Sequence, residues 1–272
     1  MKLYLAKMLS FPGAFAVVVI AAVLLLPGLV TAKGQASLPA SVPMPTCVPG
    51  SNDYVIAVGS GGFEPGTDMV PGTHCNQCVA PLDLPFSFTL YDRKFTSAIV
   101  GSNGVLGFVS NPNGYQPTCL PSGGFDYAIL PGWEQLVYRY GPESPSVEGR
   151  DAPVFETGVF TSLTGTAPNR VFNIEWRAKD HFNVSPVDIE IRLYENSPDQ
   201  QFDLAYRNVN HHGGHAVIGV QKGAGSQFTQ HSCLTQGRVN PGVKLTFTLP
   251  RCMPPSPPPP TSKAPPAGSL TS

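Results

Sequence analysis

The chain has 272 residues, of which 30 are proline and 28 glycine; charged residues make up 13% and the formal net charge is −1. This balance offers no basic field to a phosphate backbone, so nucleic acid is not an expected partner. Dense turn formers, and few windows with apolar residues at i, i+3, i+4 and i+7, argue against a helical bundle and for an all-β fold.

Lys2 and Lys7 precede an apolar run at 11–26 that Pro27-Gly28 interrupts. Val30-Thr31-Ala32 fits a small-residue cleavage site and Gly34-Gln35-Ala36 a second, so residues 1–32 read as a secretory signal peptide. The alternative is an uncleaved anchor, because 11–30 is about 20 residues and just able to cross a bilayer. Pro12, Gly13, Pro27 and Gly28 weigh against that. The membrane is therefore expected only through this segment if uncleaved, and the location is secreted or cell surface. Residues 33–45 read as a linker and 46–252 as the folded domain. The tail at 253–272, PPSPPPPTSKAPPAGSLTS after Met253, cannot bury a core and reads as polyproline-II or disordered spacer.

Export changes the reading of the cysteines. Cys47, Cys75, Cys78, Cys119, Cys233 and Cys252 are an even set in an oxidising compartment, so disulfides are the default. Sequence does not choose among their pairings; Cys119 with Cys233 is preferred, since each sits in a Gly/Pro- or Ser-rich loop beside a strand. His74-Cys75-x-x-Cys78 lacks the second CxxC of a zinc ribbon and the strand–helix setting of a redox motif, which favours structural disulfides.

In chain order, 54–58 is a first strand and 59–72 a glycine-rich loop. Phe86, Phe88 and Leu90 alternate with polar residues, Tyr91 to Lys94 form a charged turn, and 95–100 resumes the pattern. Asn103-Gly104 predicts a type I′ hairpin turn leading into a strand at 105–109. Strands follow at 136–140, 159–163, 170–179, 188–195, 201–209, 216–221 and 244–249. Phe172, Ile174 and Trp176 share one face, as do Ile189, Ile191 and Leu193. About ten strands of ordinary length predict an antiparallel two-sheet sandwich, jelly-roll-like.

The series LPFSFTLYDRKFTSAIVGSNGVLGFVSN, FDYAILPGW, GVFTSLTGTAPNRVFNIEWRA, IEIRLYE and VIGVQKGAGSQFTQHSC resembles an extracellular β-sandwich module of bacterial secreted and cell-surface proteins. "LPF…SNGVLGF…ILPGW" is more loosely similar to nidogen-type domains. The resemblance spans about residues 70–250 and rests on structural motifs. It implies a surface or adhesive role and supplies no catalytic residue.

Three clusters carry possible chemistry. His211, His212 and His215 could bind zinc or copper with a further ligand from His181, His231 or His74; the plainer reading is a polar hairpin tip turning at Gly213-Gly214. Asp188 and Glu190 lie on one strand face, as in jelly-roll glycoside hydrolases, yet the Glu-x-Asp-x-x-Glu order is missing. The plainer reading is a solvated face where Glu175, Arg177, Glu190 and Arg192 form cross-strand ion pairs. Trp133 and Trp176 could stack sugars if exposed, but both sit in apolar company and read as core. Asn183-Val184-Ser185 matches a glycosylation acceptor, with Pro186 against it. The acidic stretch 195–203 lacks the dense spacing of a calcium site.

The expected protein is thus an exported, non-catalytic sandwich without a cofactor, acting in adhesion or in envelope or matrix interactions. Its partner is an extracellular protein or polysaccharide, contacted through loops at 111–124, 141–153 and 209–215. The alternatives are a carbohydrate-binding module and, behind it, a glycan hydrolase using Glu190.

Overall fold

A computed structural model describes residues 53–250 apart from 110, 113, 115, 139–156, 182–184 and 236–237. The expected signal segment, linker and tail lie outside the described residues, as do Cys47, Cys252, Asn183 and the loop at 141–153. The strands are β1 (Val55–Ser60), β2 (Asp68–Met69), β3 (Val79–Leu90), β4 (Arg93–Gly101), β5 (Val105–Gly107), β6 (Ala128–Trp133) and β7 (Leu136–Val137). They continue as β8 (Gly158–Thr164), β9 (Val171–Asp180), β10 (Pro186–Tyr194), β11 (Phe202–Asn208), β12 (Val217–Lys222), β13 (Gln227–Cys233) and β14 (Val243–Thr248).

These form two antiparallel sheets. One has eight strands in the order β1-β14-β11-β10-β9-β8-β2, with β7 paired to β9; the other has six, in the order β13-β12-β6-β5-β4-β3. The all-β, two-sheet expectation holds. β9, β10 and β11 sit mid-sheet, and Ile174, Ile189, Ile191 and Leu204 are fully or almost fully buried on the face turned to the second sheet. Phe202 and Phe247 are register partners whose rings stack at 4.7 Å. Such a pair adds about 0.5–1.5 kcal/mol beyond its buried area. A one-residue slip of any central strand would turn this apolar set outward, which fixes the register.

β3 is longer than its alternating half suggests, and it contains Pro81 and Pro85. It is an edge strand, where prolines cost no ladder bond, and its register shifts between Asp83 and Phe88. At 103–104 only Gly104 takes positive φ (75°). The turn is therefore not type I′, which needs positive φ at both central residues. Asn103 is buried and its side chain does other work: Oδ1 accepts from Leu136 N (3.2 Å) and Nδ2 donates to Gly114 O (3.3 Å). β2, β6 and β13 have no counterpart among the strands of the sequence reading. β13, QFTQHSC, is a polar edge strand with too weak an alternation to register.

Both sheets carry a covering on their outer faces. The segment at 116–127 lies over the six-stranded sheet, where Leu120, Phe125, Leu130 and Trp133 make a second small core. Gln230 and Gln221 bind its backbone at Leu120 N (2.7 Å) and Ser122 N (3.0 Å). The Cys119–Cys233 disulfide fastens it to β13, which is the preferred pairing from sequence.

Candidate functional site

The outer face of the eight-stranded sheet carries the strand acids. β1 and β2 are opposite edges of that sheet, so the link at 61–67 must cross it. At ordinary strand spacing the distance is roughly 29 Å, which leaves a link of this length almost no slack. Its contacts mark the crossing. Gly62 O accepts from Arg192 on β10 (2.6 Å), Glu64 N donates to Glu190 (3.1 Å), Gly66 N donates to Glu175 on β9 (2.7 Å) and Thr67 N to Thr161 O on β8 (2.9 Å).

Beneath this strap Glu175, Glu190, Asp188 and Asp203 are all buried. The solvated-face expectation is corrected here. Glu175 with Arg177 and Glu190 with Arg192 do pair, but along their own strands, while Arg207 and Lys244 make the cross-strand pairs, and the acids are shut from water. Glu175 receives Arg177 Nε (2.8 Å) and Nη2 (2.7 Å), Arg207 Nη2 (3.0 Å) and the strap amide. Glu190 receives Arg192 Nε (2.8 Å) and Nη2 (3.1 Å). Asp188 takes Arg207 Nε (3.3 Å) and Asn208 Nδ2; Asp203 takes Lys244 Nζ (3.0 Å) and Tyr194 OH (2.6 Å). Arg177 stacks on Phe160 and Arg207 on Phe63 of the strap, with guanidinium carbons 4.0 and 4.5 Å from the ring centres. Burial pushes the Glu190 carboxyl up, while Arg192 and the Glu64 amide pull it back. Glu190 does face a second carboxylate, its register partner Glu175, but no open cleft separates them.

The tryptophans are core, as the sequence indicates. Trp176 is buried and donates to Gly101 O (2.9 Å); Trp133 donates to Gly114 O (2.8 Å) and meets Phe125 edge-on. Neither offers a stacking platform. Along 195–203 two of the three acids are taken by protein cations: Glu195 pairs bidentately with Arg170 (2.7 and 2.8 Å) and Asp203 with Lys244.

The chain's six histidines gather at one end of the sandwich. That end holds the start of β3, the ends of β9, β11 and β13, and the Cys75–Cys78 disulfide. His74 Nδ1 contacts Thr157 O (2.7 Å), and His231 Nε2 contacts Arg238 O (3.1 Å), so each ring has a backbone carbonyl as a partner. His211, His212 and Gly213 form a short 3-10 turn between β11 and β12, the polar connection expected. His211 and His215 rings lie 4.7 Å apart. His212 turns away to Asn240 Oδ1 (2.5 Å). The residue the sequence reading missed is Asp180, at the end of β9: its Oδ1 is 4.0 Å from His215 Nδ1, and its Oδ2 accepts from Asn210 Nδ2. Nothing in the spacing of 180 and 215 signals that meeting. Close by, Glu134 is buried and its carboxyl is pushed up to about 8, first by burial and then by the Asp180 charge.

At the opposite end a cleft of ≈ 540 Å³ opens, lined by Phe86, Thr89, Lys94, Arg170, Tyr194 and Gln200 among others.

The family model described as NIDO related matches residues 53–247, most of the chain and all but the last few described residues. The chain belongs to the NIDO-related family. Neither a curated protein nor a solved structure matches it. Nidogen-related membership and the two disulfides are compatible with an extracellular location. Among the described residues no helix is long and apolar enough to cross a membrane.

Proposed function

We propose that this NIDO-related protein is an exported, non-catalytic module that works at or outside the cell surface, holding an extracellular protein in adhesion or in an envelope or matrix assembly. The observation that carries the reading is the sealing of its strand acids. Glycoside hydrolysis needs one carboxyl free to donate a proton and a second facing substrate or water. Glu190 and Glu175 are instead buried under the strap, each clamped by an arginine. The face that a jelly-roll hydrolase would use is spent on holding the fold together. Burial of Trp133 and Trp176 likewise leaves neither tryptophan available to stack on a sugar. Contact surface is left at the two ends, namely the cleft beside Lys94 and Arg170 and the histidine-bearing rim.

The test incubates the purified full chain with insoluble and soluble polysaccharides and with immobilised extracellular-matrix and envelope proteins, recording retention and released reducing ends. Retention on protein without release is the expected result. Release that vanishes in Glu190→Gln, with the melting temperature kept, would make the protein an enzyme. Saturable retention on polysaccharide alone would make it a sugar-binding module.

A further inference from the structure

We propose that Asp180, His211 and His215 form a binding site for a divalent transition metal of the zinc class at the rim of the sandwich. One ligand atom from each of the three lies within 4.8 Å of the others. Tetrahedral zinc with bonds of 2.0–2.2 Å sets its ligands roughly 3.4 Å apart. Both imidazoles have solvent access, so rotation about their side-chain bonds is the movement that closing that gap calls for. The fixed member of the set is the carboxylate. Asp180 is buried at the end of β9, and Asn210 donates to its Oδ2, leaving Oδ1 on the side of His215. Such an outer hydrogen bond orients a ligating carboxylate.

The turn is built to present the rings. His211 and His212 take φ of 44° and 52°, a left-handed conformation uncommon for residues other than glycine. Gly213 is also left-handed, and a Cβ there would meet Val239 Cγ2 at 2.6 Å. That tight winding brings two residues four apart to a ring separation of 4.7 Å and sends His212 the other way, to Asn240. The donor set also selects the ion. Two imidazoles and one carboxylate suit zinc and its neighbours, whereas calcium and magnesium ask for an all-oxygen shell. Three protein ligands at a solvent-accessible rim leave a coordination position open. The ion would tie the β11–β12 connection to the end of β9.

The experiment titrates zinc into the chelator-stripped full chain against a chromophoric competitor and records thermal unfolding with and without zinc. One equivalent is expected to bind and raise the melting temperature. His211→Ala and His215→Ala should each weaken binding by at least about tenfold and abolish the thermal shift, while His212→Ala changes neither. Calcium and magnesium should not displace zinc. Asp180→Asn should behave as the two ligand variants do; if it does not fold, the histidine variants, which alter solvent-accessible rings, decide the matter. Binding of less than one equivalent, equal affinity in the wild type and His215→Ala, or an equal loss in His212→Ala would overturn the proposal.

Discussion

Glu134 shows how much a single side chain's surroundings can say that its neighbours in sequence do not. It follows Trp133 in a stretch that reads as apolar core, and it is buried as that stretch suggests. Its carboxyl is held protonated to about pH 8, against 4.5 for the unperturbed group. The unfolded chain gives up that proton near 4.5, so between 4.5 and 8 the folded state binds more protons than the unfolded one. Stability therefore falls as pH rises across that interval. In chelating buffer, the urea midpoint should be lower at pH 8 than at pH 5, and Glu134→Gln should flatten the slope and raise the pH 8 value. An unchanged slope in the variant would mean that Glu134 is charged in the fold. Asn103 is a parallel case. Its place before Gly104 announces a turn, but its burial and its bonds to Leu136 and Gly114 depend on segments far along the chain.

At the scale of elements, the strap at 61–67 and the ladder of charges beneath it form one unit. Strands β9, β10 and β11 place acids and arginines on a shared outer face by simple alternation, and that much is visible in NIEWRA and IEIRLYE. Alternation cannot say whether such a face meets water. The glycine-rich link decides it, and Gly66 shows why it is glycine: a Cβ there would lie 2.5 Å from Phe160 Cβ and 2.7 Å from Phe160 backbone carbon. Two predictions follow from the covering. Glu175→Ala leaves Arg177 and Arg207 without their shared carboxylate and should cost about 3–5 kcal/mol in urea unfolding, the range for breaking a buried pair. A loss below about 1 kcal/mol, the range for exposed pairs, would return the face to solvent. Gly66→Val should lift the strap, costing about 1–3 kcal/mol as overpacking does and speeding hydrogen exchange at the Glu64 and Gly66 amides.

Over the whole molecule, two sheets share one core and each is backed by a loop. The backing of the six-stranded sheet hangs on Cys119–Cys233, which closes a sequence separation of 114 residues. Loops of that size gain most from cross-linking on the chain-entropy account, and losing a native disulfide typically costs about 2–5 kcal/mol. The double variant Cys119→Ser/Cys233→Ser should lose stability in that range by chemical denaturation. The loss should come with faster exchange at Leu120 N and Ser122 N, whose glutamine partners stand on β13 and β12 of the covered sheet. If stability falls without that local exchange, the bridge acts on the unfolded chain alone.

By itself the sequence determined the class of fold, the place of most strands, which faces of β9 and β10 are apolar, the burial of both tryptophans, and one disulfide. Apart from the disulfide, whose partners lie 114 residues apart and were matched by their similar loop settings, these are local: a period of two or a turn former is written within a few residues. Only the tertiary structure decided that the strand acids are sealed, that His211 and His215 meet Asp180 while His212 does not, and that Asn103 ties distant segments. These depend on which strand neighbours which, and on where a link of fixed reach must cross. Burial and electrostatic neighbourhood arise from pairings more than a hundred residues apart, such as Gly66 with Glu175, and no periodicity along the chain records them.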